Sequence, residues 1–432
     1  MKLMLKGGRV IDPSQNIDMV ADILIEDGVI SRIEKDISLS EADSTDNMKV
    51  FDLKDTIVAP GLIDMHTHLR EPGFEYKETV RTGSEAAVAG GFTSIACMAN
   101  TDPVNDNRSV TEFIQTQARL AAMANVYPIA AVSKGQDGKI LTEFGDLKIA
   151  GAVAFSDDGN PVTDSGLMRH ALEYAYSFDM PVISHCEDSS LSSGGLMNEG
   201  FISTQLGLPG IPSVAEDIMV ARDIQLADFT KTRIHIAHVS TAGSVQIVRE
   251  ARAAGINVTA ETAPHYFILT DEALQQFSTD LKMYPPLRSS TDVEAVKEGL
   301  RDGTLDAIAS DHAPHSSVEK NLEFEYAANG IIGLETSLPL SLKLVHDGIL
   351  TISQLIEKMS VNPAAILKID KGSLKTGADA DITVIDMNKI WTVDIHKFRS
   401  KGRNCPFNGM ELKGKAVMTI VGGDVRYADS EL

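Results

Sequence analysis

The chain has 432 residues, with 61 Asp and Glu against 39 Lys and Arg and a formal charge of -22. That balance argues against nucleic acid or an anionic membrane surface as the main partner, and an anionic small molecule would need a local basic group to approach. The length exceeds what one hydrophobic core usually holds, so a large domain with a smaller companion is expected.

Taken in chain order, the first residues lack a basic segment followed by a long apolar core, so no secretory signal is predicted. Residues 2–6, 9–11, 22–26, 29–34 and 49–53 read as short strands, with Asp27-Gly28 as a hairpin signal. From there the texture changes to β-branched runs at 57–63, 92–98, 126–132, 152–155, 181–184, 233–237, 257–260 and 306–309. Helix-length segments lie between most of them, at 79–89, 110–124, 165–178, 214–227, 242–254 and 291–301. This alternation predicts an α/β chain whose residues 58–372 form a (β/α)₈ barrel. Strand-and-turn texture returns at 381–386 and 416–423, so residues 1–57 and 373–432 are expected to build one small β-sandwich domain. Cys97, Cys186 and Cys405 show no paired spacing, which fits a reducing compartment, by default the cytoplasm. No run approaches the roughly 20 apolar residues of a membrane span.

A doubly wound open sheet is the alternative, and the residues at the strand ends separate the two. In a barrel those ends converge on one mouth, so chemistry is shared among many strands. The first apolar run leads into His66-Thr67-His68 with Arg70 close behind, and the second ends in Met98-Ala99-Asn100-Thr101. The fourth ends in Ser156-Asp157-Asp158-Gly159, the fifth in His185-Cys186-Glu187, the sixth in His238 and the eighth in Asp311-His312-Ala313-Pro314-His315. Of eleven histidines, five (His66, His68, His185, His238 and His312) fall at such ends, where chance would scatter them over helices and loops.

A single histidine at a strand end is more often structural, Asp157-Asp158-Gly159 alone would be a turn, and Asp311 alone a helix cap. Four histidines (His66, His68, His185, His238) and two aspartates (Asp158, Asp311) aimed at one mouth reverse those odds, because the carboxylates would be costly to desolvate without a cation. His66 and His68, two apart on a strand, share a face and can hold one ion together. Imidazole with carboxylate suits zinc, and the ligand number exceeds one tetrahedral site, which points to one or two zinc ions per chain with two preferred. Asp158 is the expected bridge, with Asp157 open because strand parity is uncertain by one residue. Such a site is equipped to hydrolyse an unreactive amide, with Asp311 as general base. Arg70, Asn100 and His315 remain to bind a substrate carboxylate.

These motifs resemble the amidohydrolase superfamily and, within it, the bacterial class I dihydroorotases. The resemblance runs from Ile11-Asp12-Pro13 to Gly377-Ala378-Asp379-Ala380-Asp381-Ile382, and it is narrowed by His66-Thr67-His68-Leu69-Arg70-Glu71-Pro72-Gly73, Ala89-Gly90-Gly91-Phe92-Thr93, Pro285-Pro286-Leu287-Arg288 and Ser310-Asp311-His312-Ala313-Pro314-His315. It implies reversible cyclisation of N-carbamoyl-L-aspartate to L-dihydroorotate in pyrimidine biosynthesis. It also implies that His66, His68, Asp158, His185, His238 and Asp311 are metal ligands, and that backbone near 330–333 completes the pocket. The sequence departs from the family in three places. Ala154-Phe155-Ser156-Asp157-Asp158 stands where many relatives carry a carboxylated lysine, Ala99 stands for a proline, and Tyr284 for an asparagine. Another cyclic amidase, such as a dihydropyrimidinase, hydantoinase or allantoinase, is the nearest rival, and a non-catalytic partner of aspartate transcarbamoylase is the rival from another class. A homodimer is the default assembly, with aspartate transcarbamoylase as a candidate partner.

Overall fold

The computed structural model describes residues 2–38 and 48–430. Eight parallel strands, Leu62–Thr67, Phe92–Cys97, Asn125–Ala130, Ala154–Phe155, Ile183–Ser184, Ile234–Ile236, Val258–Thr262 and Ala307–Ile308, form the barrel wall. They pair in chain order as two runs of four, joined by parallel bridges from Phe155 to Val182 and from Thr67 to His312. Strands covered on both faces are mostly apolar, and every residue of Leu62–Thr67 and Phe92–Cys97 is buried, the polar Asp64, His66 and Thr67 of the first strand included.

The outer helices include Val80–Gly90, Arg108–Ala121, Ser165–Ser177, Val214–Thr230, Ala242–Ala253 and Ser290–Asp302. Several start at a polar side chain that accepts from the first free N–H groups: Thr79 from Thr82, Asn107 from Ser109 and Val110, Asp164 from Leu167, and Thr241 from Ser244. Gly90, at the end of the first of these helices, lies so near the chain beyond the eighth strand that a Cβ there would sit 2.0 Å from the Leu334 carbonyl oxygen. This close approach accounts for Gly90, and a positive φ of 95° accounts for Gly91, the second glycine before the second strand.

The two ends of the chain join in one sheet around Lys2–Asp12. That strand pairs antiparallel with Ile17–Glu26 and parallel with Met48–Asp52 and Ile57–Pro60, and Ile57–Pro60 pairs antiparallel with Ile382–Thr392. Glu411–Val421 and Asp424–Ala428 extend the sheet, which folds as a β-sandwich around Leu3, Val10, Ile23, Ile382, Val384 and Ile420. One boundary differs from the sequence reading. The apolar run 57–63, read there as one barrel strand with the barrel beginning at 58, is divided at Gly61. A Cβ on Gly61 would meet the Thr93 hydroxyl at 2.0 Å, and residues 57–60 belong to the small sheet. Thr383 locks the junction, since its hydroxyl donates to Gly91 O (2.6 Å) and accepts from Leu62 N (3.1 Å).

Among the described residues no helix is long and apolar enough to cross a membrane. Phe144 is fully buried, with its ring stacked on Phe155 at 3.7 Å and on Tyr174 at 4.9 Å. Phe144→Ala is therefore expected to cost about 3–5 kcal/mol, measured as a lower denaturant midpoint at unchanged slope.

Candidate active site

The first and eighth strands are tied by Asp64, which is fully buried and accepts from the backbone N–H of His66 and of Ser310, both at 3.1 Å. Burial raises its pKa to about 7 against the opposing pull of those bonds. This contact aligns the strand end that carries His66 and His68 with the one that carries Asp311.

Asp158 lies at the centre of the mouth. Its Oδ2 is 3.4 Å from His66 Nε2 and 3.5 Å from His68 Nε2, while its Oδ1 is 3.1 Å from His238 Nε2 and 3.4 Å from His185 Nδ1. Two triads of potential ligands thus share this one residue, His66-His68-Asp158 and Asp158-His185-His238, and all five residues are buried. Asp311 Oδ1 joins the first group, 3.1 Å from His68 Nε2 and 3.6 Å from His66 Nε2. Asp157 points elsewhere, accepting from Val132 N (2.8 Å), Ser133 N (3.1 Å) and Ser133 Oγ (2.5 Å).

The donor set fits a divalent cation. His66 Nδ1 is bonded to Glu261 Oε1 at 2.7 Å, which leaves the buried Nε2 without a hydrogen-bond partner and facing carboxylate oxygens. His185 Nδ1 and His238 Nε2 likewise face each other at 2.8 Å beside Asp158. The surrounding carboxylates favour a proton on His66 and on His185. Burial disfavours the His66 cation, but Asp158, Glu261 and Asp311 outweigh it and raise the pKa well above the ordinary value. Burial works against the Asp158 carboxylate too, yet His66, His185 and His238 hold its pKa well below the usual range. A bound cation would take the place of those protons.

Arg70, Asn100, Asp158, His185, Tyr284, Asp311, His315 and Gly330 line one cavity of about 210 Å³. Arg70 is 8 % exposed, and burial brings its pKa down to about 10. Its Nε donates to Pro314 O at 3.2 Å, and one terminal nitrogen lies 3.4 Å from His315 Nε2. Burial and the neighbouring Arg70 charge lower the His315 pKa to about 3, so this imidazole is neutral at physiological pH. Asn100 Oδ1 accepts from His68 Nδ1 at 2.9 Å, which turns its amide donors away from that ring. Arg70, His238 and Asp311 all adopt positive φ (66°, 33° and 49°), strained for residues other than glycine and commonest where side chains must be aimed.

His312, one of the five strand-end histidines, turns away from the mouth. Its Nδ1 accepts from Gly333 N at 3.1 Å, and its Nε2 lies 3.4 Å from buried Glu78. Gly333 N is thereby occupied, and of the segment 330–333 only Gly330 lines the cavity. Sequence reasoning assigned no role to Glu261 or Glu187 and left that of Tyr284 open. Glu261, ending the seventh strand, orients His66 and lies 3.4 Å from His235. Glu187 accepts from His185 Nε2 at 3.1 Å, and Tyr284 donates to Glu187 at 2.5 Å with its ring parallel to that of His185. A carboxylate closing an apolar run was the available signal for Glu261.

Comparison with known proteins finds relatives along the whole chain. A family model described as dihydro-orotase-like matches residues 55–244, and one for the amidohydrolase family matches residues 215–427. A dihydroorotase of Syntrophus aciditrophicus (strain SB) is 62% identical over 99% of this chain and 100% of its own length. A dihydroorotase of Geobacter metallireducens is 57% identical over 99% of this chain and 100% of its own. Among solved structures, the L-hydantoinase (dihydropyrimidinase) of Arthrobacter aurescens superposes with a TM-score of 0.88 at 26% identity, covering 100% of this chain and 97% of its own.

Removing the carboxylate that orients His66, as in Glu261→Ala, should weaken divalent-ion affinity about 10–100-fold, read by chelator competition on folded protein.

Proposed function

The chain belongs to the dihydroorotase family of amidohydrolases, and from that premise we propose that it interconverts L-dihydroorotate and N-carbamoyl-L-aspartate in pyrimidine biosynthesis. The observation that carries this reading is the buried guanidinium of Arg70 in one cavity with Asp158, His185 and Asp311. Hydantoin and dihydrouracil have no ring carboxylate and no use for Arg70, Asn100 and His315 together. Dihydroorotate has one. The intact set of histidines and aspartates argues equally for catalysis over a scaffold role.

His66, His68, Asp158, His185, His238 and Asp311 would hold one or two zinc ions, with Asp158 as the bridge. When bound, zinc supplies Lewis acidity and lowers the pKa of the attacking water. Arg70 pairs with the substrate carboxylate through parallel hydrogen bonds, and Asn100 and His315 complete its recognition. Asp311 is poised as a base: burial penalises its charge, but His68 and His66 hold its pKa down at about 2, so it is ionised across neutral pH. In the hydrolytic direction it takes the proton from water as oxygen bonds to the ring carbonyl carbon. It then delivers that proton to the ring nitrogen as the carbon–nitrogen bond breaks. In the cyclising direction the same carboxylate accepts the ureido proton and returns it to the departing hydroxyl. The reading extends to a cytoplasmic homodimer, with aspartate transcarbamoylase as a candidate partner. Three buried free thiols support a reducing compartment.

A steady-state assay with dihydroorotate, run beside hydantoin and dihydrouracil and with metal quantified per chain, tests the reading. Faster turnover of either comparator would overturn it. Arg70→Ala should lower kcat/KM for carbamoyl-aspartate about 100-fold or more while metal content stays at the level of the parent protein. Chelation should abolish turnover, and added zinc should restore it.

A further inference from the structure

Among the described residues, two lysines buried beside the cavity have no carboxylate at ion-pair distance, though Asp280 acts on Lys320 and Glu325 on Lys282 from further away. Lys320 is 3 % exposed and Lys282 5 %. The Lys320 ammonium donates to Ala328 O (2.9 Å), Gly330 O (3.0 Å) and Lys282 O (3.4 Å), and the Lys282 ammonium to Glu325 O (2.9 Å) and Ala327 O (2.8 Å). All five acceptors are backbone carbonyls, four of them in the segment 325–330. That segment presents Asn329 and Gly330 to the cavity, and Asn329 O receives His315 Nε2 at 2.7 Å. Burying an ammonium costs free energy that carbonyl dipoles repay only in part, and a well-packed apolar side chain would serve stability as well or better. A charge kept at that cost one peptide away from an anion-binding wall has an electrostatic use.

We propose that Lys320, supported by Lys282, is a positioning residue for the anionic end of the substrate. It fixes the Asn329–Gly330 wall through its carbonyls and sets a desolvated positive charge behind it. This inference rests on the functional reading above, because it needs a substrate that carries a carboxylate. In a chain of charge -22, such a charge offsets the field that a dianion meets on entering, and focusing of this kind raises local ligand concentration by roughly tenfold or more. The titratable groups around Lys320 are Lys282 and Asp280, with Glu319, neutral His315 and, beside Lys282, Glu325. Burial lowers the Lys320 pKa to about 8, with Asp280 opposing and Lys282 adding to the shift. The ammonium is therefore present below about pH 8 and is lost above it. Its attraction for an anion falls in the same direction.

The test is steady-state kinetics of carbamoyl-aspartate cyclisation with Lys320→Met, Lys320→Arg and the parent enzyme between pH 6.5 and 9.5, conditions chosen to span about pH 8. Lys320→Met should raise KM about tenfold with kcat changed far less, whereas a merely structural lysine would reduce the amount of folded enzyme and leave KM alone. The parent should show a rise in KM above about pH 8 that Lys320→Arg, charged throughout, removes. An unchanged KM in folded Lys320→Met overturns the inference. Should that variant fail to fold, a KM rise shared by the parent and Lys320→Arg, or absent from both, overturns it as well. A parent enzyme inactive on both carbamoyl-aspartate and dihydroorotate would defeat the functional reading instead.

Discussion

Four imidazole nitrogens drawn around one buried carboxylate organise this molecule. Asp158 spends one oxygen on His66 and His68 and the other on His185 and His238, so residues from the first, fourth, fifth and sixth strands are stable only as a set. Removing any one leaves a buried charge or lone pair unmatched, at a cost of several kcal/mol. The outer contacts follow from this need. Glu261 and Glu187 hold imidazole nitrogens that do not face Asp158, and Asn100 does the same for His68. Each fixes a ring so that its remaining lone pair points inward.

Much of this was legible in the sequence because a barrel places function where its strands end. His66, His68, His185, His238 and Asp311 each close an apolar run, and the structure gathers all five. Other features had no one-dimensional signal. A one-residue shift reverses the face of a side chain, so the choice between Asp157 and Asp158 waited on the backbone, which sends Asp157 to the Val132–Ser133 amides. His312 has the same local signature as its neighbours, but the Gly333 amide and Glu78, distant in sequence, turn it away. The passage from small sheet to barrel at Gly61 had only Pro60-Gly61 to mark it, set inside a run that is otherwise apolar from Ile57 to Ile63.

Charge is distributed with a purpose that the net value conceals. The surface is strongly acidic, yet the cavity wall holds Arg70 with Lys320 and Lys282 behind it, all three buried. Coulombic attraction strengthens in such low-dielectric surroundings, so on the proposed reading these interior cations act on an anion in the cavity more strongly than exposed charges do. His315, neutral at physiological pH beside them, contributes hydrogen bonding without competing charge.

Strand Ile57–Pro60 carries a consequence for how the chain is made. It is the seam between the sheet's two halves, bonded on one side to Lys2–Asp12 and on the other to Ile382–Thr392, and it leads within two residues into the strand bearing His66 and His68. In chain order Lys2–Asp12 precedes every barrel strand, but Ile382–Thr392, which completes its sheet through Ile57–Pro60, follows them all. Domains usually fold as units while translation proceeds. This sandwich must instead keep an open edge while the barrel is made, and it closes only after the last barrel strand has been followed by Ile382–Thr392.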